Sequence, residues 1–226
     1  METKQSRPQP IRLLIFLCTL LTVLAGCAGG EVDPDKPAAD LASEGMAAYE
    51  KENYKKAIRY FEKIRDWYPF SKYAKLAELK IADSHFYRKE YEEAIFAYED
   101  FESLHPRNEA IPYVVFQIGL SYYQQIRTID RDPSPAKKAL EAFERLMRTF
   151  PEDPYSEKAE EYIRACRQHL ARHEFYVGFF YYKSGHYKAA LNRFKKVVER
   201  YPDVGEHRKA LMYMAMCAKA IEKQTP

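Results

Sequence analysis

The chain has 226 residues, of which 31% are charged and 46% hydrophobic, and its formal net charge is +3. The first 26 residues hold three of the 36 basic and one of the 33 acidic side chains, so the remainder carries a net charge of +1. A near-neutral chain of mixed charge argues against nucleic-acid binding, which requires a concentrated basic stripe. The charges are therefore expected to lie on solvated helix faces.

Residues 1–26 have the pattern of an export signal. Lys4, Arg7 and Arg12 precede an uncharged run that ends at Gly26, and this run is shorter than the roughly 20 apolar residues of a comfortable membrane span. The run leads into Leu-Ala-Gly-Cys, which ends at Cys27 and resembles a bacterial lipobox. That resemblance implies cleavage before Cys27, a lipid on its thiol and, because Ala28 follows, sorting to the outer membrane. An uncleaved anchor or an ordinary signal is the alternative.

Residues 27–40 form the predicted lipidated tether. The stretch from Ala28 to Asp40 is rich in glycine, proline and acidic residues and has no apolar periodicity. Such a segment cannot bury enough apolar surface to fold, so we expect an extended, flexible connection to the first helix.

One spacing recurs through the rest of the chain. Gly45 is followed by Ala57 after 12 residues, by Phe61 after 4 more and by Pro69 after 8 more. Small residues allow two helices to touch, the aromatic residue fills the seam, and proline ends the second helix. This is the signature of tetratricopeptide (TPR) repeats. The other copies are Ala82, Ala94, Tyr98, Pro106; Gly119, Ala139, Phe143, Pro151; and Gly178, Ala190, Phe194, Pro202.

This spacing predicts an all-α, TPR-like α-solenoid of about four and a half helical hairpins. In the third copy the first interval is 20 residues, which predicts a loop insertion at 127–135. No proline interrupts residues 155–183, so one long helix is expected to bridge two halves of the array. The last helix has no second helix after it and is expected to cap the solenoid. Predicted helices are 40–51, 54–67, 71–88, 91–104, 109–126, 135–149, 155–183, 187–200 and 206–222.

Aromatic residues recur four positions after the small residue of each first helix. An aromatic-lined groove suits an extended peptide that itself carries aromatic side chains, because flat rings give large contact area at low rotamer cost. The alternative is that these rings pack between repeats. The recurring residues are Tyr49, Phe86, Tyr123 and Tyr182, with Phe116, Phe175 and Phe179 as further candidates.

No residue pattern points to catalysis, a cofactor or a metal. Cys166 and Cys217 fall in helices of different repeats, which favours two small buried residues over a disulfide. His169 and His173 lie four apart on one predicted helix face, but no third ligand is evident. We therefore expect neither an enzyme nor a metalloprotein.

Several motifs together resemble the BamD/ComL family of outer-membrane assembly lipoproteins. They are the lipobox, the TPR-like hairpins, Tyr68-Pro69-Phe70 with Tyr73, the insertion motif Asp130-Arg131-Asp132-Pro133, and Asn192-Arg193. The resemblance covers nearly the whole chain. It implies a non-enzymatic subunit of the β-barrel assembly (BAM) complex, lipid-anchored on the periplasmic face of the outer membrane. Its implied partners are BamA, other assembly lipoproteins and unfolded outer-membrane protein clients.

The resemblance also divides the repeats by role. Residues 41–107, with repeats 1–2, are the implied client side, and residues 108–226 hold the C-terminal repeats. Arg193 is predicted to point away from its own helix seam, since Ala190, Phe194 and Val197 take the packing positions. Tyr68, Pro69, Phe70 and Tyr73 are predicted to form one side of a client-binding pocket between the first two repeats, with Tyr49 and Phe86 of the groove as further client-binding residues; plain packing between repeats is the alternative. The resemblance places the BamA-binding surface in the C-terminal half, where Asn192 and Arg193 are the predicted BamA-binding residues; a solvated Arg193 paired with Glu199 is the alternative.

Two other functional classes remain open from the sequence. A type IV pilus pilotin or another periplasmic TPR adaptor lipoprotein would share the anchor and the solenoid. Copurification with a secretin instead of BamA would distinguish it. The second of these classes is an enzyme. Turnover of a small substrate that one polar substitution abolishes would reveal it.

Replacing Cys27 with serine tests the predicted anchor. Because serine lacks the thiol that receives the lipid, Cys27→Ser is expected to leave a soluble or misprocessed protein. Membrane fractionation and intact-mass measurement check this. A variant that still fractionates with the outer membrane and keeps a lipid mass would show that the anchor lies elsewhere.

Overall fold

The computed structural model describes residues 36–202 and 204–224, so the predicted signal, Cys27 and most of the tether lie outside the described residues. Within these ranges the chain forms nine α-helices and no strand, which confirms the all-α prediction. We number the helices α1 Ala38–Glu50, α2 Tyr54–Trp67, α3 Ala74–Tyr87, α4 Tyr91–Leu104, α5 Ile111–Gln124, α6 Ser134–Thr149, α7 Pro154–Lys183, α8 Tyr187–Arg200 and α9 His207–Gln224.

The predicted helix boundaries agree with the observed ones to within three residues. The largest difference is the start of α3, predicted at residue 71 and observed at Ala74. A turn occupies the interval, in which the Ser71 N–H donates to the Tyr68 carbonyl at 2.9 Å and the Ala74 N–H to the Ser71 carbonyl at 3.1 Å. Each helix packs against the next one along the chain, as expected for stacked hairpins.

The seam between the two helices of each hairpin is built from the recurring small and aromatic residues. Phe61, Tyr98, Phe143 and Phe194 are all fully buried. A Cβ placed on Gly45 or Gly119 would lie 2.7 Å from the ring of Phe61 or Phe143, respectively. A Cβ on Gly178 would lie 2.9 Å from Phe194. The first helix therefore approaches so closely that a side chain would collide with the ring.

The turn inside the hairpin also repeats. Seven positions after the small residue of the first helix stand Glu52, Lys89 and Gly185, with φ angles of 57°, 63° and 75°. One left-handed residue at this point ends the first helix and reverses the chain. In the third repeat this position is Ile126, directly before the predicted insertion at 127–135, and residues 125–133 contain no helix. The His173 ring lies on this loop, with Nδ1 2.7 Å from the Ile129 carbonyl oxygen.

Helix α7 joins two hydrophobic cores, as its predicted bridging role requires. Its 30 residues correspond to about 45 Å of helix. Ala159, Ile163 and Cys166 belong to a core shared with α3–α6, whereas Ala171 belongs to a core shared with α8 and α9. The predicted boundary between the client side, residues 41–107, and the C-terminal repeats, residues 108–226, falls within the first of these cores. The division of roles between the two segments stays a prediction.

The two remaining cysteines are both free and buried. Cys166 lies in the first core and Cys217 in the second. Burial raises the pKa of the Cys166 thiol to about 12, so the thiolate needed for oxidation is scarce at neutral pH.

No helix among the described residues is both long enough and apolar enough to span a bilayer.

Gly119→Ala tests the close approach at the seam. In an unconstrained helix this change stabilises by about 0.5–1 kcal/mol, because alanine loses less backbone freedom. Here the new Cβ would press on the buried Phe143 ring, so we expect a loss of about 1–3 kcal/mol in unfolding free energy. Urea or thermal unfolding measures the difference.

Gly205→Ala is the matched control, because a Cβ at Gly205 meets no other atom within 4 Å. It is expected to leave stability nearly unchanged. Equal stability of the two variants would contradict the account of the seam.

Candidate functional site

The six predicted client-binding residues lie in two separate places. Tyr49 and Phe86 lie at the ends of α1 and α3, where the first helix of a hairpin turns into the second. Residues 68–73 lie where α2 turns into α3, at the other end of the hairpins. Helix α3 has 14 residues, so about 20 Å separates the two places. They form two surfaces on the first two repeats and not one pocket.

The first surface is a cluster of three tyrosine rings. Tyr54 and Tyr87 stack, with ring centroids 5.2 Å apart and planes 14° apart. Tyr49 meets Tyr54 and Tyr87 edge-on at 5.4 and 6.0 Å. Tyr87 is 50% exposed, so the cluster presents aromatic area to solvent. We call Tyr49, Tyr54 and Tyr87 the tyrosine cluster; sequence reasoning found only Tyr49 among its members.

Part of this cluster follows a rule that the sequence carries. In three repeats the aromatic residue four positions after the small residue contacts a tyrosine nine positions after it, so the two rings fasten the turn between the helices. In the third repeat the equivalent position holds Ala136, which has no ring, and Tyr123 packs on Tyr162 of α7 instead, at 5.0 Å. The pairs are Tyr49 with Tyr54 (5.4 Å), Phe86 with Tyr91 (5.7 Å) and Tyr182 with Tyr187 (5.6 Å).

The further groove candidates belong to the packing between helices. Phe116 is only 8% exposed and contacts Phe143 and Tyr162, so its proposed place in a groove is wrong. Phe175 and Phe179 both contact Tyr213 of α9, at 5.6 Å each. The periodicity that predicted these rings does not distinguish a groove from a helix interface.

Beneath the tyrosine cluster lies a buried carboxylate, that of Asp83, which is 1% exposed. The hydroxyls of Tyr98 and Tyr113 donate to Oδ1 at 2.8 and 2.7 Å, and Lys80 Nζ donates to Oδ2 at 2.7 Å. Lys80 also lies over the Tyr49 ring, 4.5 Å from its centroid. The network therefore ties α3 to α4 and α5 and supports the cluster from below.

The chemistry of this network fixes its protonation. Burial, followed by the Asp83 carboxylate, raises the pKa of Tyr49, Tyr98 and Tyr113 well above the ordinary tyrosine value. The three hydroxyls therefore stay protonated under all physiological conditions and remain available as donors. Three donors, the Tyr98 and Tyr113 hydroxyls and Lys80 Nζ, offset the loss of hydration of the Asp83 carboxylate. The arrangement is a structural support and supplies no proton-transfer group.

The second surface, residues 68–73, is a turn that carries a solvent-exposed aromatic ring. Phe70 is 100% exposed, and Pro69 beside it is also exposed. Tyr68 is the residue after α2, with its N–H donating to the Ile64 carbonyl at 2.9 Å, and Tyr73 is the residue before α3. The full exposure of the Phe70 ring leaves its whole apolar surface open to contact with another molecule.

The structure contradicts the predicted orientation of Arg193. Its Nη1 donates to Glu174 Oε2 on α7 at 2.9 Å, and Glu174 is only 14% exposed. A Cβ on Gly178 would lie 3.1 Å from the Arg193 Cβ. Arg193 thus lies across the α7–α8 seam and has an internal partner, whereas Asn192 beside it is exposed.

The histidine pair makes no metal site with its surroundings. His173 contacts the insertion loop, and burial lowers the pKa of His169. In the part of the chain that the structure describes, no group of three or more His, Cys, Asp or Glu side chains is arranged to hold a metal ion.

The profile of one protein family matches the whole described part of the chain. The family is YfiO, described as an outer membrane lipoprotein, and the match covers residues 34–225. The chain belongs to this family. The resemblance stated from the motifs is therefore confirmed.

Relatives from several bacteria agree with this assignment. The chain is 35% identical over 192 residues to the outer membrane protein assembly factor BamD of Rickettsia prowazekii (strain Madrid E), covering 84% of this chain and 76% of that protein. It is 29% identical over 202 residues to the BamD protein of Vibrio cholerae serotype O1, covering 84% of each chain.

Among solved structures, the chain is similar to a thermophilic TPR protein of Thermus thermophilus. The identity is 15% and the TM-score 0.43, over 82% of this chain and 99% of that one.

Proposed function

We propose that the chain is a lipid-anchored, non-enzymatic scaffold of the BAM complex on the periplasmic face of the outer membrane. It binds a BamA-like barrel protein, other assembly lipoproteins and unfolded outer-membrane protein clients. The observation that carries this proposal is the family match over residues 34–225, together with relatives named outer membrane protein assembly factor BamD. Those names favour this role over that of a pilotin.

The surfaces of the first two repeats support client binding. An unfolded barrel strand is extended and carries apolar side chains on alternate residues, with aromatic ones near its two ends. The tyrosine cluster and Phe70 both offer exposed aromatic area on a rigid hairpin, about 20 Å apart. Since an extended chain spans about 3.3 Å per residue, a segment of about seven residues would reach both surfaces.

The C-terminal repeats are the proposed BamA side. Asn192 is exposed and Arg193 is one-third exposed, so a partner carboxylate can approach both from solvent. Such a carboxylate would share the Arg193 guanidinium with Glu174, and a guanidinium has enough N–H donors for two carboxylates. Arg193 then acts as a bridge between α7 and the partner.

A crosslinked pull-down from solubilised outer membrane tests the proposed function. Recovery of a barrel protein with periplasmic domains is the expected result. Recovery of a secretin in its place would instead support the pilotin alternative and contradict the assembly role.

Replacing Phe70 with serine tests the second client surface. Because the ring is fully exposed, Phe70→Ser should change unfolding free energy by less than about 0.5 kcal/mol. If the ring anchors clients, affinity for unfolded barrel-protein peptides should fall about tenfold. Fluorescence anisotropy with labelled peptides measures the affinity.

Phe96→Ser is the matched control, since Phe96 is 73% exposed on α4 outside both surfaces. It should leave peptide affinity unchanged. An affinity equal to that of the unmodified chain in Phe70→Ser would remove Phe70 from the client site.

A charge swap separates the internal role of Arg193 from its proposed partner role. Arg193→Glu places two carboxylates together and should lower unfolding free energy by about 1–2 kcal/mol. Adding Glu174→Arg restores an attractive pair and should recover that stability. If Arg193 also binds BamA, the swapped protein is stable but still recovers little BamA in the pull-down. Normal recovery with the swapped protein would limit Arg193 to an internal role.

A further inference from the structure

Helix α7 is long enough to serve as the first helix of two repeats, yet within the described residues only one helix that follows it, α8, returns along it. Its initial half, residues 154–168, follows Pro151 as α3 follows Pro69. In the regular repeat α4 returns along α3. Along α7 the chain continues straight, and α8 returns along the other half, where Phe194 meets Gly178. By analogy with α3 and α4, a second helix would be expected to pack against residues 154–168 of α7, and none of the described residues forms one.

A comparison of two grooves locates the missing helix. In the regular array α2 and α3 line a groove of about 380 Å³ whose third wall is α4. At the equivalent positions α6 and α7 line a groove of about 740 Å³, where Val204 stands in place of a third helix. The larger groove is the one that no third helix closes. Equivalent residues are Glu62 and Glu144, Arg65 and Met147, Glu78 and Glu160, Ile81 and Ile163, and His85 and Arg167.

Exposure agrees with this comparison. Ala82 of α3 is fully buried where α4 packs against it. The equivalent residue of α7, thirteen positions after the proline, is Arg164, and it is exposed. We call the open groove between α6, α7 and Val204 the open slot.

The open slot has an apolar floor and a cationic rim. Met147, Ile163 and Val204 form the floor. Arg167 is paired with Glu144 at 2.8 Å. This pairing leaves Arg148 and Arg164 facing the single carboxylate of Glu160, so the rim is net positive.

We propose that the open slot binds an acidic amphipathic helix of a partner protein, which takes the place of the missing second helix. Its apolar face covers Met147, Ile163 and Val204, and its carboxylates pair with Arg148 and Arg164. Guanidinium groups hold carboxylates with two hydrogen bonds each, which gives such pairing a fixed geometry.

A second copy of this chain fits the slot poorly through its most exposed apolar helix. The helix with the most exposed apolar side chains is α9, with Leu211, Met212 and Met216 at 46%, 53% and 40% exposure. That helix is basic, with four Lys or Arg residues and one Glu in Arg208–Lys223. Its charge would repel Arg148 and Arg164.

The chain contains its own matched probes for this proposal. The peptide of residues 91–104, which is the sequence of α4, has five acidic and no basic side chains. The peptide of residues 187–200, from α8, has the same length with five Lys or Arg residues and one Glu. Both sequences pack as second helices in this fold, so they differ chiefly in charge. Each is synthesised with a hydrocarbon staple on its solvent face and a fluorescent label.

Binding is measured by fluorescence anisotropy on the full chain in detergent micelles. The acidic peptide should bind saturably, and the basic peptide at least about tenfold more weakly. The double variant Arg148→Glu with Arg164→Glu should weaken the acidic peptide by about tenfold or more. The control Arg107→Glu, an exposed arginine outside the slot, should leave binding unchanged.

Three results would overturn the proposal. They are equal binding of the two peptides, unchanged binding in the double variant, and equal loss in the Arg107→Glu control. Sedimentation of the full chain tests whether a second copy occupies the slot. A dimer that the double variant dissociates would identify a second copy as the occupant and contradict the proposal. None of these measurements uses the client surfaces, so they are independent of client binding.

Discussion

The contact between a small residue on one helix and an aromatic ring on the next is the constraint on which this structure depends. With Gly45, Gly119 or Gly178 under a buried ring, two helices approach until backbone and ring are in direct contact. This close approach sets the packing of the two helices in each hairpin, and that packing sets the positions of the turns at the hairpin ends. Because the turns lie at the two ends of the hairpins, the tyrosine cluster and Phe70 are held about 20 Å apart on rigid supports.

The two departures from regular repetition account for the remaining surfaces. In the repeat with the insertion, Ala136 stands where the other repeats have the tyrosine that fastens the turn, and Tyr162 of α7 packs against Tyr123 instead. Helix α7 continues straight where a regular repeat would turn back into a second helix. It therefore joins two cores, and the missing second helix leaves the open slot. A scaffold of this kind gains binding surfaces where the repeat is broken, since each omitted element leaves a face that a partner can cover.

Spacing in the sequence predicted the helices, the insertion and the bridge, because steric rules for hairpins act through residue types at fixed intervals. It failed where the answer depends on contacts between elements. Arg193 points toward α7 because Glu174 lies one turn before Gly178, a relation that the spacing of α8 alone does not contain. Phe116 shares its periodicity with groove residues but faces Phe143. Tyr87 has no counterpart in the other repeats, so no pattern could have revealed its stack with Tyr54.

The central claim is that the first two repeats receive unfolded barrel proteins on exposed aromatic surfaces. Site-specific photocrosslinking in cells tests it most directly, with p-benzoylphenylalanine at position 87 and, as the control, at position 176, where Tyr176 is 44% exposed on α7. The account predicts that position 87 captures newly made outer-membrane barrel proteins and position 176 does not. Equal capture at both positions, or none at position 87 while clients are being assembled, would contradict it.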